Sequence, residues 1–166
     1  MNKDLEDSRN ALKEELDKEA RRNNIILYRV PESPANCAAE RNEQDRKFCE
    51  QLLFGLNIGV STEDIGKVHR LGRKVEDQVR PVLLQFTNQH IKRLVMENLF
   101  RLKSLDAKYS SVSISHDMTP AERTACKALV NEARAKEESE GAQGEWSYRV
   151  REMPGRLTIV KFPKVK

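Results

Sequence analysis

Ile25-Ile26-Leu27-Tyr28-Arg29-Val30-Pro31 is the stretch from which the rest of the chain can be read. Its β-branched and apolar residues favour a strand over 25–30. Pro31 removes a ladder donor and closes that strand. Downstream, 33–41 is a polar loop with Pro34 and Asn36. Asn42 then offers a helix N-cap, with Asp45 three residues on. Phe48, Cys49, Leu52, Leu53 and Leu56 fall on one helical stripe, which ends near Asn57 and Gly59.

The segment 65–71 predicts a second strand, closed by Gly72, and Arg73 to Val79 a charged loop. Arg80-Pro81 opens a third strand, where Val82, Leu84 and Phe86 alternate with Leu83 and Gln85. Asn88 caps a second helix with the stripe Ile91, Leu94, Val95, Leu99 and Leu102. A fourth strand covers 111–115, with Val112 and Ile114 on one face. Strand, helix, strand, strand, helix, strand is the βαββαβ order of the ferredoxin-like or RRM arrangement, an α+β fold. Two helices cover one face of a four-stranded antiparallel sheet. With Ile25 and Leu27 turned to the helices, the open face carries Ile26, Tyr28, Pro81 and Leu83.

Upstream, residues 1–23 form a charged helix. Leu5, Leu12 and Leu16 are spaced as d, d and a of a heptad, which reads as a coiled-coil stub. Arg9 and Glu19 share that seam, so a solitary solvated helix is the other reading. Beyond the sheet, Thr119-Pro120-Ala121-Glu122 is a capping box with proline at the first helical position. That helix ends at Gly141 and Gly144, and Trp146–Met153, Pro154-Gly155 and Arg156–Phe162 read as a β-hairpin. Three parts result: 1–23, an RRM-like domain over 24–117, and a small helix-plus-hairpin unit over 118–166.

Of the 166 residues, 38% are hydrophobic and 34% charged, which is poor in core and rich in surface. No apolar run reaches the length of a membrane span. The charged N-terminus does not read as a secretory signal. Cys37, Cys49 and Cys126 form no CxxC pair, so reduced thiols are expected, with Cys49 packed in the core. Phosphate-binding loops, zinc-protease and nucleophile-elbow motifs are missing, and His69, His90 and His116 lie on different elements. An enzyme, a metal, a cofactor and a small-molecule substrate are therefore not expected.

The net charge is +4, and positive charge gathers toward the C-terminus, where 144–166 holds six basic groups against Glu145 and Glu152. Lys67, His69, Arg70, Arg73 and Lys74 crowd the second strand and its loop, and Arg80 opens the third. Such a cluster can neutralise phosphates and release counterions; the other reading is an ordinary charged loop balanced by Glu76 and Asp77. If Pro154-Gly155 is a two-residue turn, Arg149 faces Val160, Arg151 faces Thr158 and Met153 faces Arg156. Alternation then puts Arg149, Arg151 and Arg156 on one ribbon face, where bridging anions would relieve their repulsion. On the open sheet face Tyr28 is the one aromatic, so stacking is scarce and base specificity is expected to be low.

Several segments together resemble one family: Arg21-Arg22-Asn23-Asn24 leading into Ile25–Val30 and Pro31-Glu32-Ser33; His69-Arg70-Leu71-Gly72; Arg80-Pro81-Val82 to Thr87; Ser115-His116-Asp117-Met118-Thr119; and Tyr148-Arg149-Val150-Arg151. They are similar, in the same order over about residues 16–162, to the first-open-reading-frame proteins of LINE-type (non-LTR) retrotransposons. The resemblance implies a coiled coil, a non-stacking RNA-recognition domain and a C-terminal domain. It implies a homo-oligomer that coats its element's RNA as a ribonucleoprotein, cytoplasmic or nuclear, and acts as a nucleic-acid chaperone. Backbone contacts would fall to Arg80 and to Arg149 or Arg151. The chain departs from the family in its short coiled coil and short C-terminal unit. The expected partners are single-stranded RNA and DNA and further copies of the chain through the N-terminal helix, with no membrane. The residues expected to touch nucleic acid are Tyr28, Lys67, Arg70, Arg73, Arg80, Arg149, Arg151 and Arg156. A protein–protein module docking through Ile26, Leu83 and the N-terminal helix is the rival.

Overall fold

A computed structural model describes residues 2–141, 143–153 and 156–164. The chain divides into two compact units, Met1–Asp117 and Met118–Lys166. Among the described residues, no helix is long and apolar enough to cross a membrane.

The first unit is mixed α+β. It begins with helix α1 (Asn2–Arg21), followed by β1 (Asn24–Tyr28), α2 (Ala38–Gly55), β2 (Ile65–Arg70) and β3 (Val82–Phe86). Helix α3 (Gln89–Glu97), the short α4 (Ala107–Ser110) and β4 (Ser113–His116) complete it. The sheet runs β2-β3-β1-β4 with antiparallel neighbours throughout. Ile25 and Leu27 of the central strand, Val82, Leu84 and Phe86 of β3, and Cys49, Leu52 and Leu53 of α2 are all essentially inaccessible. Burying each such aliphatic or aromatic side chain contributes about 1.5–3 kcal/mol.

Several boundaries differ from the sequence expectation. Strand β1 stops at Tyr28 because Arg29 turns to φ 62°, a left-handed conformation that leaves the ladder and returns Val30 to the core. Helix α2 starts at Ala38, four residues before Asn42. The run Ala38-Ala39-Glu40-Arg41 favours helix, and Arg41 reaches back to the carbonyls of Ala35 and Asn36 at 2.9 and 2.7 Å. Asn42 is therefore not a cap; its side-chain amide donates to the Val68 carbonyl at 2.7 Å. The second apolar stripe is a true helix only to Glu97, after which Leu99–Ser104 tightens to a 3₁₀ helix and α4 follows. Asn88 does cap α3, accepting from the Ile91 N–H at 3.0 Å.

Strand β2 carries a bulge. Ile65 pairs with Phe86 and Val68 with Leu84, so Gly66 and Lys67 together oppose Gln85. A Cβ on Gly66 would sit 3.1 Å from the Gln85 carbonyl oxygen.

The open-face expectation fails at Ile26, which is only 5% exposed and lies between Leu83 and Ser115 on the sheet. At that exposure its side chain offers an apolar partner almost no surface.

Helix α1 has no buried residue, and Leu5, Leu12 and Leu16 are 70%, 62% and 63% exposed. Its C-terminal end, by contrast, is tied down. Arg21 bonds Asp17 and Asp117, each at 2.8 Å, and Asn24 donates to the other Asp117 oxygen at 2.9 Å. The largely buried Lys92 ammonium donates to the Arg22 carbonyl at 3.0 Å, a cation at the helix C-terminus.

The second unit holds α5 (Pro120–Ser139) and the antiparallel pair β5 (Trp146–Met153) and β6 (Arg156–Pro163). The Thr119/Glu122 capping box forms in both directions, at 3.1 and 2.9 Å. The hairpin register is the one expected, with Arg149 opposite Val160, Val150 opposite Ile159, Arg151 opposite Thr158 and Met153 opposite Arg156. The turn residues Pro154 and Gly155 lie outside the described residues.

Candidate nucleic-acid interface

The basic residues expected at the β2–β3 end of the sheet separate into two groups. Arg70 is internal, its side chain only 6% exposed. A guanidinium has five N–H donors, and here all five are used. Nε and one Nη2 proton hold the two oxygens of Asp45 at 2.9 and 2.6 Å. The others reach the carbonyls of Val30, Arg80 and Pro31 at 2.8, 2.8 and 2.7 Å. Arg70 fastens β1's exit, α2 and the start of β3, and has nothing left for a phosphate. The expectation that it touches nucleic acid is corrected. Asp45, read as a helix-start residue, is its buried counter-charge.

Arg80 is corrected in part. It forks onto Glu32, with Nε to Oε1 at 2.9 Å and Nη2 to Oε2 at 3.0 Å, and its own backbone N–H adds a third bond to Oε1 at 3.1 Å. The Arg80 hydrogen bonds, aided by the field of Arg70, hold the Glu32 carboxyl down at about 2, against the burial that opposes them. Arg80 is thus neutralised by a carboxylate ionised at all ordinary pH. Together the two arginines clamp the base of the 71–81 loop, where the Leu71 N–H also bonds the Pro81 carbonyl at 2.9 Å.

The cations that remain free are Lys67 on the bulge and Arg73 and Lys74 in the loop. All are exposed, with no side-chain partner among the described residues. Tyr28, opposite Ser113 at the end of β1, is 40% exposed. It is the one sequence-predicted aromatic on that face.

In the second unit the hairpin register brings Arg149, Arg151 and Arg156 onto one ribbon face, as strand alternation requires. Their environments differ. Arg149 donates to Glu137 on α5 at 2.8 Å; that bond is the main cause lowering the Glu137 carboxyl from its ordinary value, with Lys164 adding its field. Arg151 has no carboxylate partner among the described residues, and its guanidinium carbon stands 5.6 Å from the centre of the Phe162 ring. Arg156 is exposed and likewise unpaired among them.

An open cup of about 470 Å³ is lined by Glu137, Ser147, Arg149, Arg151, Phe162 and Lys164, with Pro163 at its edge. Three cations face one carboxylate there. Phe162 and Lys164 were missed in the sequence, although the expected register already places Phe162 across from Ser147 and so on the arginine face. Glu137 carries no sequence signal beyond its position on α5.

No protein-family model matches the sequence, and no curated protein matches it.

Proposed function

We propose that the protein binds single-stranded nucleic acid, RNA above all, through backbone phosphates and with little sequence preference. The observation that carries this reading is the β5–β6 register, which sets Arg149, Arg151 and Arg156 on one face; Arg149, Arg151 and Lys164 share the cup with one carboxylate, Glu137. Arginine suits phosphate because its planar fork pairs with two oxygens at once. Lys67, Arg73 and Lys74 form a second, separate set on the first unit. The strand order and helix placement of that unit agree with a ferredoxin-like, RRM-type domain, and we read it so. The scarcity of exposed aromatics on its sheet agrees with a phosphate-led mode.

In this reading the chain is a LINE-type first-open-reading-frame protein that packages its element's RNA into an intracellular ribonucleoprotein and acts on it as a chaperone. The uncovered leucine seam of α1 supports self-association through that helix.

Filter binding of single-stranded RNA across a salt series tests the proposal. Tight retention that weakens steeply with salt is expected, and retention that is weak at low salt or indifferent to salt would overturn it. Replacing Arg149 and Arg151 together by alanine should flatten the log–log salt slope by roughly 0.7 for each phosphate left without its cation. Light scattering of the intact chain beside one lacking residues 1–20 tests the role of α1.

A further inference from the structure

We infer that Phe162 is a base-stacking platform and that the cup around it receives one nucleotide of a bound single strand. The inference rests on the nucleic-acid reading above and adds to it an interaction with a base. Phe162 is a large apolar ring, 39% exposed, on a ribbon face that it shares with Ser147, Arg149, Arg151, Thr158 and Val160. What stands over the ring is the Arg151 guanidinium, a flat cation at 5.6 Å. Arginine over an aromatic face makes a displaceable lid, because both the ring and the guanidinium stack on nucleobases.

The size and charge of the cup agree. Its volume of about 470 Å³ lies within the roughly 300–1,000 Å³ of small-ligand sites. Glu137 is occupied by Arg149 and by the Tyr148 N–H. Arg151 and Lys164 then give the rim an excess of positive charge beside the ring. A base settling on Phe162 moves Arg151 aside and brings it to the adjoining phosphate, so stacking and charge neutralisation occur together. Trp146, by comparison, lies on the opposite ribbon face with the Lys161 ammonium 4.1 Å from its ring centre, and does not line the cup.

The test compares an oligouridylate with an abasic ribose-phosphate strand of the same length, both bound to the full chain at one salt concentration. The base-bearing strand should bind more tightly by about 5- to 150-fold, the range expected for one stacked base. Phe162→Leu should erase that difference, the two strands being compared within the variant. Phe162→Trp should keep the difference, and its added indole should be quenched by the oligouridylate alone. Equal binding of the two strands by the wild-type chain, or a difference that survives in Phe162→Leu, would overturn the inference and leave the backbone-binding reading standing. Failure of the wild-type chain to retain either strand at low salt would overturn both. If circular dichroism shows Phe162→Leu to be unfolded, the wild-type comparison and the Phe162→Trp quench decide.

Discussion

Arg70 and Asp45 are 25 residues apart in the chain and meet in the interior through two hydrogen bonds of 2.9 and 2.6 Å. Breaking a buried pair on one side leaves the other charge stranded, which costs about 3–5 kcal/mol. Arg70→Met and Asp45→Asn should each lower the urea midpoint by an amount of that order. The double change Arg70→Met/Asp45→Leu should recover much of the loss, since a packed apolar pair of similar volume removes both charges. A fall in RNA affinity with unchanged stability in Arg70→Met would contradict the internal role.

Glu32 contributes to stability on the acid side. Its carboxyl is lowered from an ordinary 4.5 to about 2 by Arg80. A depressed carboxylate stabilises the folded state above its unfolded value, and that contribution fades as the pH drops through the folded one. The stability gap between the native chain and Glu32→Gln should therefore be full above about pH 5, shrink below 4.5 and vanish near 2. Thermal melts from neutral pH down to about pH 2 measure it. A gap that does not change with pH would remove Arg80 as the cause.

On the proposed reading, Glu137, which holds Arg149 at 2.8 Å, competes with an incoming phosphate for it. Glu137→Gln keeps the shape of the cup and removes its one negative charge. RNA affinity should rise severalfold at low salt, and the gain should shrink as added ions screen the site. A salt-independent gain would point to a change of shape instead.

The cysteines should react in order. Cys37 is exposed at the start of α2, where the backbone N–H groups of Glu40 and Ala39 lower its thiol below the usual range. Cys49 is fully buried, and burial pushes its thiol up to about 12. Since the thiolate is the reacting form, brief alkylation at neutral pH should label Cys37 and spare Cys49, as peptide mass mapping will show. Labelling of Cys49 without denaturant would mean that the β1–α2 core opens readily.

Local rules carried much of the fold. The Asn88 cap, the Thr119/Glu122 box, the strand at 82–86 and the hairpin register each depend on residues within a few positions of one another, and each forms as expected. What the sequence hid was long-range. Arg70 reads as one more surface cation until Asp45 arrives from the facing helix. Arg80 reads as free until Glu32, 48 residues upstream, turns back beneath it. Spacing along the chain cannot tell a cation that grips the fold from one that faces water. For the same reason two of the eight residues expected at the interface are taken up by the fold. Arg70 and Arg80 are committed to carboxylates inside the first unit, whereas Arg149 lines the cup and shares its guanidinium with Glu137. Lys67, Arg73, Arg151 and Arg156 keep their charge toward solvent.

The bulge at Gly66-Lys67 has a consequence for the protein at high concentration. Strand β2 is an outer strand of its sheet, and a flat, regular outer strand is a template for another chain to add to. The extra residue sharpens the local twist and breaks the repeat of donors and acceptors, and an exposed lysine sits at that point. Removing the irregularity, by deleting Lys67 or by forcing a side chain onto Gly66, would give up a guard against strand-to-strand aggregation.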